Sequence, residues 1–433
     1  MRFWVFTLVL IISGLLTGCN LTTEEERTVN SEMEVVDYSE PEGTVVWASG
    51  PITHTGLRKE LIEKFEEKYP NVEVRLQEMS PDTNIARSFY TTTIGGRNTT
   101  PDIYNGDTNW PAQFGNASLA MDLSKVMPAE FWERFSSELV DSVTFEGGKY
   151  GAPLYTDIGY LYYRKDILEK EGIPVPQTWE EVKEASIELT KRGAVDYGFV
   201  WQGASYEGLT TNFLEYLNAA NGRVFGKDGE VEINSEAANK ALVFMQDLIQ
   251  SGASPKAVTT FREADAMNTF NAGSAAFLRN WAYAWGASQD PENSKVVGKV
   301  GVAKIPSFAS GERHTTQAGW NVFVNPHTQN LPATLAFLDF LTGEEAQTLM
   351  ADKYSMLPTN VKVQTNKELI KKNQLLGLFN EVVKNPRPVS ANYGPVSEAL
   401  YTNVNDVISG NNHIKKILEQ MEERIESADR SGL

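Results

Sequence analysis

Cysteine is almost missing from this chain. Cys19 is the only one in 433 residues, so no disulfide can close within the chain and the fold must be held by its core. Histidine is scarce too: His54, His314, His327 and His413 are far apart and show no metal-ligand spacing. Basic residues are outnumbered, 39 against 57 acidic, for a net charge of -18. With no block of Lys or Arg, nucleic acid and anionic lipid are poor partners. The usual catalytic signatures are absent as well: no Walker A loop, no G-x-G-x-x-G, no G-x-S-x-G, no H-E-x-x-H and no EF-hand loop. A paired-carboxylate glycan hydrolase would leave no such local trace, because its two acids come from distant positions.

What is present begins with "MRFWVFTLVLIISGLLTGC" (1–19). Arg2 precedes an apolar run too short for a comfortable membrane span, which reads as an export signal. Its ending, Leu16-Thr17-Gly18-Cys19, resembles a bacterial lipobox, in which the Cys is lipidated and becomes the first mature residue. Residues 20–43 carry eight acids against one Arg and have no helical or strand period, so they are expected to form a solvated tether. Fully stretched, that tether would reach roughly 80 Å at about 3.3 Å per residue.

From Gly43 strands and helices alternate, which argues an α/β layered fold. "TVVWAS" (44–49), "VEVRLQEM" (72–79) and "DIYNGD" (102–107) read as strands. Helical spacing fits Leu57 to Tyr69 and about Asn84 to Ile94. Thr178 with Glu181 makes a capping box for a helix that Gly193 ends. "YGFVWQG" (197–203), "VGVAKIP" (300–306) and "GWNVFVNP" (319–326) are further strands, and "LPATLAFLDFLTGEEAQTLMADKY" (331–354) reads as helical. In "FLRNWAYAWG" (277–286) Trp281, Tyr283 and Trp285 alternate with Ala, so an extended chain would send all three to one face. That pattern suits either an aromatic core strand or a stacking platform for a flat polar ligand.

Five stretches carry a resemblance: "KYGAPLYTDIGYLYYRKDILEKEG" (149–172), "GFVWQGASYEGL" (198–209), "AAFLRNWAYAWG" (275–286), "AGWNVFV" (318–324) and "PRPVSANYGPVSEAL" (386–400). From about Thr44 to its end the chain resembles the extracellular solute-binding proteins of ABC sugar importers, and is most similar to their trehalose/maltose-binding branch. The resemblance implies two α/β lobes with one ligand in the cleft between them. Lobe 1 is expected at 44–153 plus 301–358, lobe 2 at 154–300 plus 359–433, with "APLYTD" (152–157) as the first crossing. It implies a sugar ligand, membrane permease subunits as partners, a monomer, no cofactor and no catalysis. Membrane contact would run through the N-terminal lipid alone. The rivals are a lipid-anchored glycan hydrolase and a receptor showing bound sugar to a membrane sensor.

A disaccharide presents apolar C–H faces, which suit aromatic rings, and a rim of hydroxyls, which suit carboxylates and Arg. By resemblance Trp281, Tyr283 and Trp320 are stacking residues, while Trp285 is expected in the core. Gly319 lets backbone come close to a ligand, or serves a bulge. Tyr155 and Asp157 form a polar pair at the crossing, or fix the hinge. Asp107 binds ligand or caps the following segment. Arg87 reaches hydroxyls or is solvated, and Arg387, between Pro386 and Pro388, is assigned to the site with Tyr393. Where the branch carries a carboxylate after its first strand, this chain has His54, a hydroxyl donor or a helix cap. Trp201, Gln202, Tyr206 and Glu207 either touch ligand or hold lobe 2 together.

Overall fold

A computed structural model describes residues 35–50, 56–226, 228–308, 311–379, 381–388, 390 and 392–430. The expected export signal, Cys19 and His54 lie outside these residues.

Among the described residues thirteen strands occur in chain order: β1 (Gly43–Ser49), β2 (Val72–Glu78), β3 (Ile103–Asp107), the small hairpin β4 (Thr144–Phe145) and β5 (Gly148–Lys149), β6 (Ala152–Ile158), β7 (Tyr160–Arg164), β8 (Tyr197–Val200), β9 (Ala275–Asn280), β10 (Val300–Lys304), β11 (His314–Val324), β12 (Leu357–Pro358) and β13 (Val383–Asn385). The first sheet runs β12-β6-β11-β3-β1-β2, with β13 pairing the start of β11; the second runs β10-β7-β9-β8. β1 pairs in parallel with both β2 and β3, as helices Leu57–Lys68 and Thr83–Gly95 between them require.

Side-chain alternation along the central strands builds a core on each face of the first sheet. Val45 and Trp47 of β1 join Val322 and Val324 of β11 in one apolar cluster, with Phe337 of helix Leu331–Thr342. Ala48 and Phe323, of the opposite parity, join Tyr104, Trp110 and Phe114 in another. The second sheet has its own core, in which helix Glu236–Gln250 buries Ala238, Ala241, Leu242, Met245 and Leu248 at helical spacing. Burying each such Leu or Met contributes roughly 1.5–3 kcal/mol.

β6 ends at Ile158 and β7 begins at Tyr160, so the chain passes between the two sheets across Gly159 alone. The expected crossing at 152–157 is thus itself a strand of the first sheet.

The capping box forms as read: Glu181 N donates to Thr178 Oγ1 at 3.2 Å, and Thr178 N donates to the Glu181 carboxylate at 3.1 Å. Three readings need correction. The helical stretch 331–354 is two helices, Leu331–Thr342 and Glu344–Tyr354, parted at Gly343, whose backbone is extended. The end of the expected tether is docked: Val36 N donates to Val126 O at 3.1 Å, and Val36 and Tyr38 pack on the first sheet's core, because these two side chains are apolar. Finally, β9 stops at Asn280 and a helix spans Tyr283–Ser288. Trp281, Tyr283 and Trp285 therefore do not share a strand face.

Candidate functional site

The register of the first sheet places three distant residues side by side. Trp320 of β11 is opposite Tyr155 of β6 on one side and Asp107 of β3 on the other. The row is set by β11 lying between those strands. Trp320 is half-buried, and its ring meets Trp110 edge-on at 6.4 Å. Next to it Gly319 has φ +137°, and a Cβ there would stand 2.3 Å from the Tyr155 carbonyl oxygen. Gly319 thus serves the close approach of β11 to β6, where the register also shifts between Trp320 and Asn321.

The second group comes from the turn after β9. Asn280 Oδ1 accepts from Trp281 N at 2.9 Å, which ends the ladder. Asp157 Oδ1 accepts from Ile158 N at 2.8 Å and from Ala282 N at 3.0 Å, binding the end of β6 to the start of helix Tyr283–Ser288. Burial pushes the Asp157 carboxyl up to about 7, against the lowering effect of those two N–H donors and of Arg279. Burial likewise raises the Tyr155 phenol, helped by the negative charges of Asp157 and Asp107. Tyr283 is raised by burial and then by Glu263, Asp157 and Tyr155, so it shares their electrostatic neighbourhood. Trp281 is buried, with the Arg279 guanidinium carbon 4.0 Å from its ring centroid; Trp285 packs half-buried against the second core.

The third group joins elements packed on both sheets. Arg387 Nη1 donates to Asp107 Oδ2 at 3.0 Å and to Glu207 Oε1 at 2.8 Å, while Nη2 donates to Asp107 Oδ1 and, at 2.8 Å, to Thr108 Oγ1. Tyr393 and Ser397 donate to the Glu207 carboxylate at 2.6 and 2.5 Å. Burial alone would lower the Arg387 pKa, but Asp107, Tyr393 and Glu207 raise it, so it is a fixed cation. Its Nε has no partner among the described residues. Asp107 also accepts from Asn109 N at 3.1 Å, so it holds the following turn as well as the Arg. Arg87 lies against Gly394: a Cβ there would stand 2.0 Å from its Nη1.

Every described residue that the sequence assigned to the site thus falls into one of three neighbouring groups: Tyr155, Gly319, Trp320 and Asp107; Asp157, Trp281 and Tyr283; Arg387, Tyr393 and Arg87, whereas Trp201, Gln202 and Tyr206 bond to Ser254, the Arg279 carbonyl and Glu263. Glu207, whose role the sequence left open, is the hub of the third. Sequence reading missed Thr108, Trp110, Ser397 and the ion pair between Asp82 and Arg262. That pair joins the N-cap of helix Thr83–Gly95 to the N-cap of helix Glu263–Asn271, with Arg262 also 4.8 Å over the Tyr206 ring. Asp82 carries a local signal, an N-cap acid before a helix, but nothing local names its partner. Among the described residues no group of three or more His, Cys, Asp or Glu could hold a metal ion.

Chemically, the arrangement offers aromatic faces, fixed carboxylates and a fixed guanidinium close together, which suits a neutral, hydroxyl-rich ligand. Residues 52–348 match the family model described as bacterial extracellular solute-binding protein. A probable ABC transporter-binding protein of Deinococcus radiodurans is 33% identical over 347 residues, 78% of this chain and 82% of that protein. The maltooligosaccharide ABC transporter solute-binding lipoprotein of Streptococcus pneumoniae is 27% identical over 295 residues, 63% of this chain and 64% of that one. Among solved structures, maltose-bound MalE3 of T. maritima is similar at TM-score 0.82 and 34% identity, covering 89% of this chain and 99% of that chain.

Proposed function

Because this chain belongs to the bacterial extracellular solute-binding proteins, a family of two-lobed binding folds, we propose that it captures a sugar for an ABC importer. The ligand is an α-linked disaccharide, of which maltose and trehalose are the leading cases. Lobe 1 comprises 44–158 with 314–358 and lobe 2 comprises 160–304 with 359–433, which moves the boundaries expected at 153/154 and 300/301, because β6 runs in the first sheet to Ile158 and β10 runs in the second. The observation that carries this reading is the row Tyr155–Trp320–Asp107 beside Asp157, Trp281 and Tyr283. Trp281, Tyr283 and Trp320 stack on sugar C–H faces. Asp107, Asp157, Arg87, Arg387, Tyr155 and Tyr393 take the hydroxyls, with His54 as a further hydroxyl donor. Charged hydrogen bonds of about 1.5–3 kcal/mol each mean that three would cover much of the roughly 8 kcal/mol of a micromolar complex.

Support for the sugar class comes from the maltose-bound T. maritima protein and the maltooligosaccharide-binding S. pneumoniae lipoprotein. The latter also favours lipidation at Cys19, which would hold the monomer at the outer face of the cytoplasmic membrane beside its permease. The chain performs no catalysis and uses no cofactor in this scheme. Titration calorimetry against maltose, trehalose, sucrose and mannitol tests it. Saturable binding of a disaccharide is expected; binding of none of the four refutes the sugar class, and preference for mannitol refutes the disaccharide. Trp281→Ala should weaken binding far more than it lowers the melting temperature.

A further inference from the structure

Beneath Trp281 lies an ion pair that no ligand contact requires. Arg279 and Glu215 are both fully buried, with Arg279 Nη2 donating to Glu215 Oε1 at 2.6 Å and Nε to Oε2 at 3.0 Å. A planar, two-point pair of this kind fixes the guanidinium plane as well as its position. The remaining contacts tighten it further. Arg279 Nη1 donates to Gln202 Oε1 at 3.3 Å, and Gln202 Nε2 donates back to the Arg279 carbonyl at 3.1 Å. Asn212 Nδ2 donates to the same Gln202 oxygen at 3.0 Å.

The network also reaches the strands that join the two sheets. The Thr315 hydroxyl, on β11, donates towards Glu215 Oε1 at 3.3 Å and accepts from Gly159 N at 3.0 Å. A Cβ on Gly159 would stand 2.2 Å from Glu215 Oε1, so the residue at the passage from β6 to β7 is small where the pair needs room. On its other side the guanidinium carbon sits 4.0 Å from the Trp281 ring centroid. A desolvated guanidinium stacked on indole is held there by the ring's quadrupole. Asp157 and Glu263 are the other charged groups acting on Arg279.

We propose that Arg279 and Glu215 are positioning residues for the sugar: the pair sets the plane of the Trp281 ring from behind and ties that plane to Gly159 and Thr315 at the junction of the two sheets. The inference rests on the sugar-binding reading, with Trp281 stacking through its opposite face. A buried ion pair is retained here for orientation, since apolar side chains of similar volume would often serve stability as well or better.

The test uses the whole chain, with the pair replaced together (Glu215→Met with Arg279→Met) and Glu215→Gln alone. Replacing both partners avoids leaving one charge buried and unpaired, so the double variant is the one expected to stay folded. Two readouts are taken in each: maltose affinity by calorimetry, and the near-ultraviolet circular dichroism that Trp281 contributes, obtained by subtracting a Trp281→Phe partner. The double variant is expected to lose most of that Trp281 signal while its far-ultraviolet spectrum is unchanged. Its maltose affinity should fall at least 10-fold. Adding Trp281→Ala to the double variant should cost less than 3-fold more, because the ring's contribution is already gone. A retained Trp281 signal overturns the proposal, as does a full, independent loss on adding Trp281→Ala. If the parent binds a disaccharide other than maltose, that disaccharide replaces it in the titrations; if it binds none of maltose, trehalose, sucrose and mannitol, the sugar reading falls, and loss of the Trp281 signal in the double variant then still supports the positioning role, while its retention still refutes it.

Discussion

Asp157→Asn is expected to stabilise this protein at neutral pH while harming ligand capture. The Asp157 carboxyl is 6% exposed, and burial moves it from 3.8 to about 7. Below about pH 4 the folded and unfolded chains both hold the proton. As pH rises towards 7 the unfolded chain gives it up and the folded chain keeps it, so unfolding becomes steadily easier. Above 7 the whole penalty is felt, roughly 4 kcal/mol at about 1.4 kcal/mol per pH unit. The amide cannot ionise, yet it keeps an oxygen to accept from Ile158 N and Ala282 N. Urea unfolding of ligand-free parent and variant from pH 4 to pH 8 would check this. Their difference cancels the other titrating groups and should grow in the variant's favour as pH rises. Parallel curves, or a gap that grows towards acid, would refute the reasoning. Above pH 7, where the parent carboxyl is ionised, disaccharide affinity should move the other way, because a sugar hydroxyl loses a charged acceptor.

Other perturbations probe different parts of the molecule. Gly319→Ala puts a Cβ against the Tyr155 carbonyl at positive φ, so it should cost more than about 2 kcal/mol in urea unfolding and weaken binding with it. Arg262→Gln removes a pair whose Arg side chain is 46% exposed. Stability should change by less than about 1 kcal/mol, and that change should shrink as ionic strength rises, checked by urea unfolding at low and high salt. Cys19→Ala should move the protein from the membrane pellet to the soluble fraction, and retention in the pellet would count against lipidation.

The elements were largely legible because their signals are local. A capping box, a Gly after a helix and a buried β-branched run act within a few residues, and β1, β2, β3 and helix Trp179–Lys191 followed from them. Residue roles came from resemblance, but their grouping did not come from local pattern. Asp107, Tyr155 and Trp320 become neighbours only through the order β6-β11-β3, which no short stretch encodes. The alternation in "WAYAW" misled because two side-chain acceptors intervene: Asn280 takes the Trp281 N–H, Asp157 takes the Ala282 N–H, and the chain turns helical. Glu207 stayed ambiguous because its three partners, Arg387, Tyr393 and Ser397, come nearly two hundred residues later.

The position of β11 also governs the order in which this protein can become itself. As the chain is synthesised, β1, β2 and β3 can pair early, but the neighbour that joins β3 to β6 is residues 314–324. Residues 159–313, including all four strands of the second sheet, must be made before that slot is filled. Until then the apolar faces of β3 and β6 have no shared partner, a long-range closure that slows folding and keeps the chain pliable. A nascent chain of this design stays threadable through a membrane for most of its synthesis, and locks only as its last quarter arrives.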